Sequence, residues 1–229
     1  MENWIVWIIV FFFVAAPLII SARTIRNLLI GLRLPTSSIS SLPNQGWVQV
    51  RGRIRGDPVS SPINNTQCSF YQLEVKEYRS YGRGGNWHTI LKDSSAPFEL
   101  DDMTGWVSVQ KANAQVVVKN DRAIKVDDGL RSALGSLGIN TTGLLGFNKR
   151  LKVYLRLIAP GQETLVVGKI KQSDNIISIS GRKLEPILIS SMNKSAMLSE
   201  LAWRVVKLMI PIYLVGAIII VIFILSMGI

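Results

Sequence analysis

Hydrophobic positions follow three rhythms along this chain. Residues 4–20, broken only by Pro17, and residues 208–225, with Pro211 near the start, are apolar without period and without charge. Runs of this kind, close to the ~20 residues needed to cross a hydrocarbon core, predict two transmembrane helices. Beside each run the period is three to four. Ile25, Leu28, Leu29 and Leu32 recur on one side, and Leu198, Leu201, Ala202, Val205 and Val206 on the other, which predicts juxtamembrane helices. The second stripe leads directly into the second run and predicts one continuous helix. Pro35 stops the first, and the Ser-rich residues 36–44 read as a linker.

From Gly46 the period is two. Residues 47–54, 67–79, 87–92, 98–100, 106–109, 114–118, 151–158, 164–171 and 175–180 read as strands separated by turn residues. About nine short strands predict a mainly β domain, a small barrel or sandwich with OB-like curled strands. Val48-Gln49-Val50-Arg51-Gly52-Arg53-Ile54 and Leu165-Val166-Val167-Gly168-Lys169-Ile170 resemble one another, each with an interior glycine that permits a bend. The Gly- and Leu-rich residues 121–148 break the pattern. They read either as a short helix and loop covering one end of the barrel or as an apolar element touching lipid or a partner. The expected organisation is a first span over 4–22, a helix and linker over 23–45, the β-domain over 46–188 with its 121–148 insertion, a juxtamembrane helix over 189–207, and a second span over 208–227.

Charge turns this pattern into a topology. All 26 Lys and Arg residues lie between Arg23 and Lys207, and the net charge is +11. Arg23, Arg26 and Arg33 follow the first run, while Lys194, Arg204 and Lys207 precede the second. Positive residues beside spans stay on the cytoplasmic side, so the middle of the chain is expected in the cytoplasm and both ends outside, in the plasma membrane of a prokaryotic host. A cleavable signal peptide does not fit the first run, because Met1, Glu2 and Asn3 supply no positive n-region and the arginines come after the apolar stretch. A basic surface beside an anionic leaflet points to membrane lipids and away from nucleic acid. Arg51, Arg53 and Arg55 alternate with Gly52 and Ile54 as on the solvated face of a strand. Expected membrane or partner contacts are Arg23, Arg26, Arg33, Leu144, Leu145, Phe147, Lys149, Arg150, Lys194, Arg204 and Lys207.

Little in the chain points to catalysis. One Cys and one His give no disulfide and no thiolate- or His-rich metal site. Cys68 sits in an alternating segment and reads as a buried core residue. His88 has no carboxylate at a diagnostic spacing, and Asp101 and Asp102 read as caps of a tight turn. Trp87 and Phe98 read as core aromatics. No catalytic residue, cofactor or metal is expected.

The order Val50-Arg51-Gly52, Ser61-Pro62, Cys68, Tyr71, Glu74-Val75, Trp87, Pro97-Phe98, Asp101-Asp102, Gly105 and Val107, followed by residues 166–170 and 187–191, resembles the GIDE domain, also called the BAM or "beside a membrane" domain. This is the region between the two transmembrane helices of MULAN-type membrane E3 ubiquitin ligases. The resemblance implies ubiquitin transfer, but those ligases recruit the conjugating enzyme through a RING finger. One Cys and one His cannot supply its eight zinc ligands. The expectation is a prokaryotic-like member without a RING, acting as a non-catalytic, membrane-anchored interaction or membrane-sensing module with an unidentified protein partner. A component of a ubiquitin-like transfer system and an oligomeric membrane effector or pore are the alternatives, and homo-oligomerisation is left open.

Overall fold

Pro35 marks where the chain changes from helix to strand. Helix α1 covers residues 24–33 and ends before it, since proline removes an N–H and disfavours helical backbone in the residue ahead of it. The computed structural model describes residues 22 and 24–226, except 83, 111–112, 120, 144–145, 174–175 and 182–185. The apolar run 4–20 lies outside the described residues.

The strands are β1 (Thr36–Ser37), β2 (Gln45–Arg55), β3 (Val59–Ser60), β4 (Gln67–Cys68), β5 (Phe70–Tyr81) and β6 (Gly84–Ser94). β7 (Phe98–Asp101), β8 (Trp106–Val109) and β9 (Gln115–Val117) precede helix α2 (Asp128–Ser136). β10 (Leu151–Ile158), β11 (Glu163–Ser173), β12 (Ile176–Ser180) and β13 (Leu188–Ser190) lead to helix α3 (Lys194–Ser226). The chain divides into two compact units, one formed by Met1–Leu34 with Lys194–Ile229 and the other by Pro35–Asn193.

In the second unit β2, β7, β8, β12 and β11 pair in that order, and β11 pairs back onto β2, closing a five-stranded barrel. Among these five barrel pairings only β8–β12 is parallel. Numbered along the chain the five strands run 1-2-3-5-4 and return to 1, a Greek-key closure of OB type. Val50, Phe70, Leu100, Val107, Val166, Ile179 and Ile189 fill the core, all of them buried. The two look-alike segments are partners: Val166 pairs with Val50, Gly168 with Val48 and Thr164 with Gly52. A Cβ on Gly52 would lie 2.4 Å from the Asp101 carbonyl oxygen, and one on Gly168 would lie 2.4 Å from Ile179 Cγ2. The glycines therefore sit where a neighbouring strand crosses closest, which is what lets strands this short close on themselves.

Residues 36–44 are ordered, against the expectation of a linker. β1 pairs with β2, the Gln49 amide donates to Thr36 Oγ1 at 2.7 Å, and the Ile39 N–H donates to Asp102 Oδ2 at 2.7 Å. Ile39 is buried in the core, and that burial outweighs the local polar composition.

A second sheet, β10–β5–β6, is antiparallel. Its Leu73, Val75 and Val153 pack against Leu134 of α2, with Leu130 and Ile139 at the margin. Asp127 caps α2 by accepting the Leu130 N–H at 2.8 Å. The insertion therefore covers this sheet and not an end of the barrel, because the apolar face of β5 and β10 needs a partner of its own. β6 also begins earlier than its alternation suggested. Gly85 pairs with Ser80, and a Cβ there would strike the Tyr78 ring, so the glycine is used for a ring to cross it.

Within the first unit, Gly31 of α1 faces Leu198 and Met197 of α3, and Lys194 Nζ donates to the Leu34 carbonyl at 2.6 Å. Met197 and Leu201 are buried, whereas Ile210, Leu214, Ile218 and Val221 of α3 point outward. Counted over the described residues, no helix is long and apolar enough to cross a membrane. Many side chains of residues 208–226 fall outside that description. The 33-residue helix α3 nonetheless carries the uncharged stretch 208–225.

Candidate functional site

Two features of the Pro35–Asn193 unit face outward with more chemistry than a solvated surface needs. The first is a cleft of about 710 Å³ beside the barrel. Its walls come from the end of β2 (Ile54, Arg55), the loop after it (Asp57), β3 (Val59), the start of β7 (Phe98, Glu99) and Trp106 on β8. Phe98 is held edge-on to Phe70 at 5.2 Å and forms an apolar floor. Trp106 is 47% exposed. The site thus uses the second and third barrel strands and the loop joining the first two, the face through which OB-type barrels bind ligands. Arg55 is outnumbered by Asp57 and Glu99, so the cleft does not attract phosphates.

The second feature lies on the three-stranded sheet, on the face away from α2. Lys152 Nζ sits 4.2 Å from the Trp87 ring centroid, the Arg150 guanidinium 4.6 Å from Tyr78, and Lys76 Nζ 5.5 Å from Tyr154. Tyr78 and Trp87 meet edge to face at 5.4 Å. Cross-strand registry builds the cluster, since Trp87 of β6 is opposite Tyr78 of β5 and Lys152 of β10 opposite Lys76.

A buried polar network joins this sheet to the β9 edge. Arg156, 9% exposed, donates from Nε to both Asp121 carboxylate oxygens at 3.0 and 2.9 Å, and from Nη1 to Glu74 and Gln72 at 3.2 Å each. Gln72, 3% exposed, donates to the Ala114 carbonyl at 2.9 Å and accepts the Val116 N–H at 3.4 Å, pairing with β9 as a strand would. Burial alone would raise the Glu74 pKa, but Lys76 and then Arg156 outweigh it and hold the carboxyl below its ordinary value. This network is structural, since it is sealed inside and its groups are mutually satisfied.

The turn carboxylates are likewise occupied. Asp102 accepts the Thr104 N–H at 2.9 Å and hydroxyl at 2.6 Å as well as the Ile39 N–H, and Asp101 accepts the Met103 N–H at 2.8 Å. Burial pushes the Asp102 pKa up, yet these hydrogen bonds prevail and lower it. Cys68 is buried, its thiol donating to the Val59 carbonyl at 3.3 Å, and burial raises its pKa. Among the described residues no three His, Cys, Asp or Glu side chains come together to hold a metal.

The residues expected as contacts are scattered. Arg23, Leu144 and Leu145 lie outside the described residues. Arg26 and Arg33 are on α1, Lys194 donates to Leu34, Arg204 pairs with Glu200 at 3.2 Å, and Lys207 lies 5.3 Å from the Trp203 ring. Phe147 is 75% exposed. Lys149 bonds Glu77 at 3.0 Å and, with Arg79, lowers that carboxyl's pKa. Of the eleven, Arg150 alone is placed in the cation–aromatic cluster described above. Trp87, expected in the core, is half-buried on that face. Tyr78, Lys152 and Tyr154 were missed, and their alternation in two separate strands was the available signal. The alternation marks Trp106 only as the start of a strand.

The family model of GIDE, described as E3 Ubiquitin ligase, matches residues 71–223. No curated protein and no solved structure matches the chain.

Proposed function

This chain belongs to the GIDE family, and on that premise we propose that it is a membrane-anchored interaction module, without catalysis of its own in these residues, whose barrel cleft holds a segment of a protein partner. The observation that carries this reading is the cleft around Trp106: an apolar floor, a half-exposed aromatic wall and a mixed polar rim. Buried aromatic anchors ringed by polar groups are where protein interfaces concentrate their binding energy. The anchor is supported by α3, whose uncharged stretch turns Ile210, Leu214, Ile218 and Val221 outward, an arrangement favoured in lipid and costly in water.

The test is co-purification of the tagged full-length chain from native membranes. Wild type and a Lys125→Ala control, altered on an exposed loop, should retain the same stoichiometric partner. Trp106→Ala should lose it by roughly 30-fold, the loss expected for an aromatic hot spot. Retention unchanged in Trp106→Ala overturns the assignment of the cleft.

A second reading, that the partner is a ubiquitin-conjugating protein, is favoured by the family match. These 229 residues contain one Cys and one His, so the contact would not be made by a zinc-held RING within them. Conjugate formation in a reconstituted reaction above the background without this chain would support it, and background levels would remove it.

A further inference from the structure

We propose that the cation–aromatic face of the three-stranded sheet is a docking surface for an anionic phospholipid bilayer. The inference rests on the membrane-anchor reading above but uses a different part of the molecule from the partner cleft. Three aromatic rings, Tyr78, Trp87 and Tyr154, and three cations, Lys76, Arg150 and Lys152, stand on one face of β5, β6 and β10. Lys92 pairs with Glu74 in register and so shares that face.

Charge identifies the occupant. Glu74 is taken up by Lys76 at 3.2 Å and Arg156 at 3.2 Å, and Asp121 by Arg156 at 2.8 Å. Lys92, Arg150 and Lys152 have no carboxylate within ion-pair distance among the described residues, which leaves the face positive. Tyr and Trp rings with an apolar body and a polar edge, backed by long basic side chains, suit the headgroup layer, where rings sit at the interface and ammonium groups reach phosphates.

The ring geometry argues against single-stranded nucleic acid. Such binding needs open ring faces on which bases stack. Here Lys152 occupies a face of Trp87, Arg150 one of Tyr78, and Lys76 and Arg156 lie over Tyr154 at 5.5 and 5.4 Å. Each cation covers one face of its ring, so ring edges and cations together are what a phosphate-rich plane would meet.

The experiment uses the full-length chain reconstituted into nanodiscs containing dibromo-phosphatidylcholine, with or without 30 mol% phosphatidylglycerol. Quenching by brominated chains is read as the difference between wild type and Trp87→Phe, so that the other tryptophans cancel. The expected result is a Trp87 component quenched in anionic discs, weakly quenched in neutral discs, and released by high salt. Lys92→Gln/Arg150→Gln/Lys152→Gln should weaken docking by on the order of 100-fold, about fivefold per basic group removed from an anionic surface, and return Trp87 to its neutral-disc quenching. Equal Trp87 quenching in both discs, or insensitivity to salt and to the triple variant, overturns the proposal. So does a single-stranded oligonucleotide that binds neutral discs carrying wild type but not Trp87→Phe. Alkaline carbonate extraction separates this from the anchor reading: a chain recovered in the soluble fraction defeats the anchor, whereas a retained chain with unquenched Trp87 defeats only the docking face.

Discussion

Substituting Gly52 by alanine tests the closure of the barrel most sharply. The added methyl would lie 2.4 Å from the Asp101 oxygen and 2.8 Å from its carbonyl carbon. Carbon–oxygen contacts settle near 3.3 Å or more, so the backbone at Asp101 must retreat by about 1 Å. It has little room, because Asp101 pairs with Arg53 and its neighbour Asp102 ties the turn to Ile39. Overpacking of this kind costs about 3 kcal/mol at the upper end of the usual range. Alanine's lower chain entropy returns roughly 0.5–1 kcal/mol, leaving about 2 kcal/mol. With a urea dependence of about 2 kcal/mol per molar, the midpoint should fall by about 1 M. The single, buried Cys68 is the reporter: its protection against a pulse of thiol reagent, measured against urea in a mild detergent, follows unfolding of the β-domain without interference from α3. Gly168→Ala should cost less, since the near neighbour is a side-chain methyl of Ile179, which can move more easily than backbone. Gly84→Ala meets nothing within 4 Å and should leave the midpoint unchanged. If Gly52→Ala unfolds where Gly84→Ala does, the close approach of β2 and β7 does not exist as described.

Arg156→Ala should destabilise the domain by about 3–5 kcal/mol in the same assay, because Asp121 and Glu74 lose the cation that compensates their burial. Gln72→Leu should cost about 2 kcal/mol by stranding the Ala114 carbonyl and Val116 N–H. Asp102, Glu74 and Glu77 have lowered pKa values in the fold. The unfolded chain therefore binds more protons near pH 4, and stability rises with pH there. The stability these groups supply should be complete above the ordinary carboxylate range and lost as pH falls through it, and Asp102→Asn should flatten that acid limb of the urea midpoint.

What the sequence revealed depended on how local the determining contacts were. The strand positions of β2, β7, β8, β10, β11 and β12 are legible as short apolar segments between turn residues. β7 and β8 alternate because one side of each meets the core, whereas residues 48–50 of β2 and 164–167 of β11 are buried on both sides. Helix α3 followed from its continuous stripe. Strand partners were not readable, so a barrel and a sandwich stayed open, although the look-alike segments around Gly52 and Gly168 are paired with each other. β13, three residues and wholly buried, carries no alternation at all. The cation–aromatic face is assembled from strands about seventy residues apart, so no contiguous motif announced it. The Trp106 cleft also needs β2, β7 and β8 to be brought together before its walls exist.

Membership in the GIDE family says what the chain is related to, and the proposed partner site is the Trp106 cleft. The most direct measurement places a photo-crosslinking phenylalanine analogue at position 106 of the full-length chain in native membranes, with the same analogue at exposed position 125 as the comparison. Binding at the cleft predicts one discrete protein adduct from position 106, none from 125, and loss of the adduct when Arg55→Glu removes the cleft's cation. No adduct from position 106, or the same adducts from both positions, contradicts an interaction module centred on this barrel.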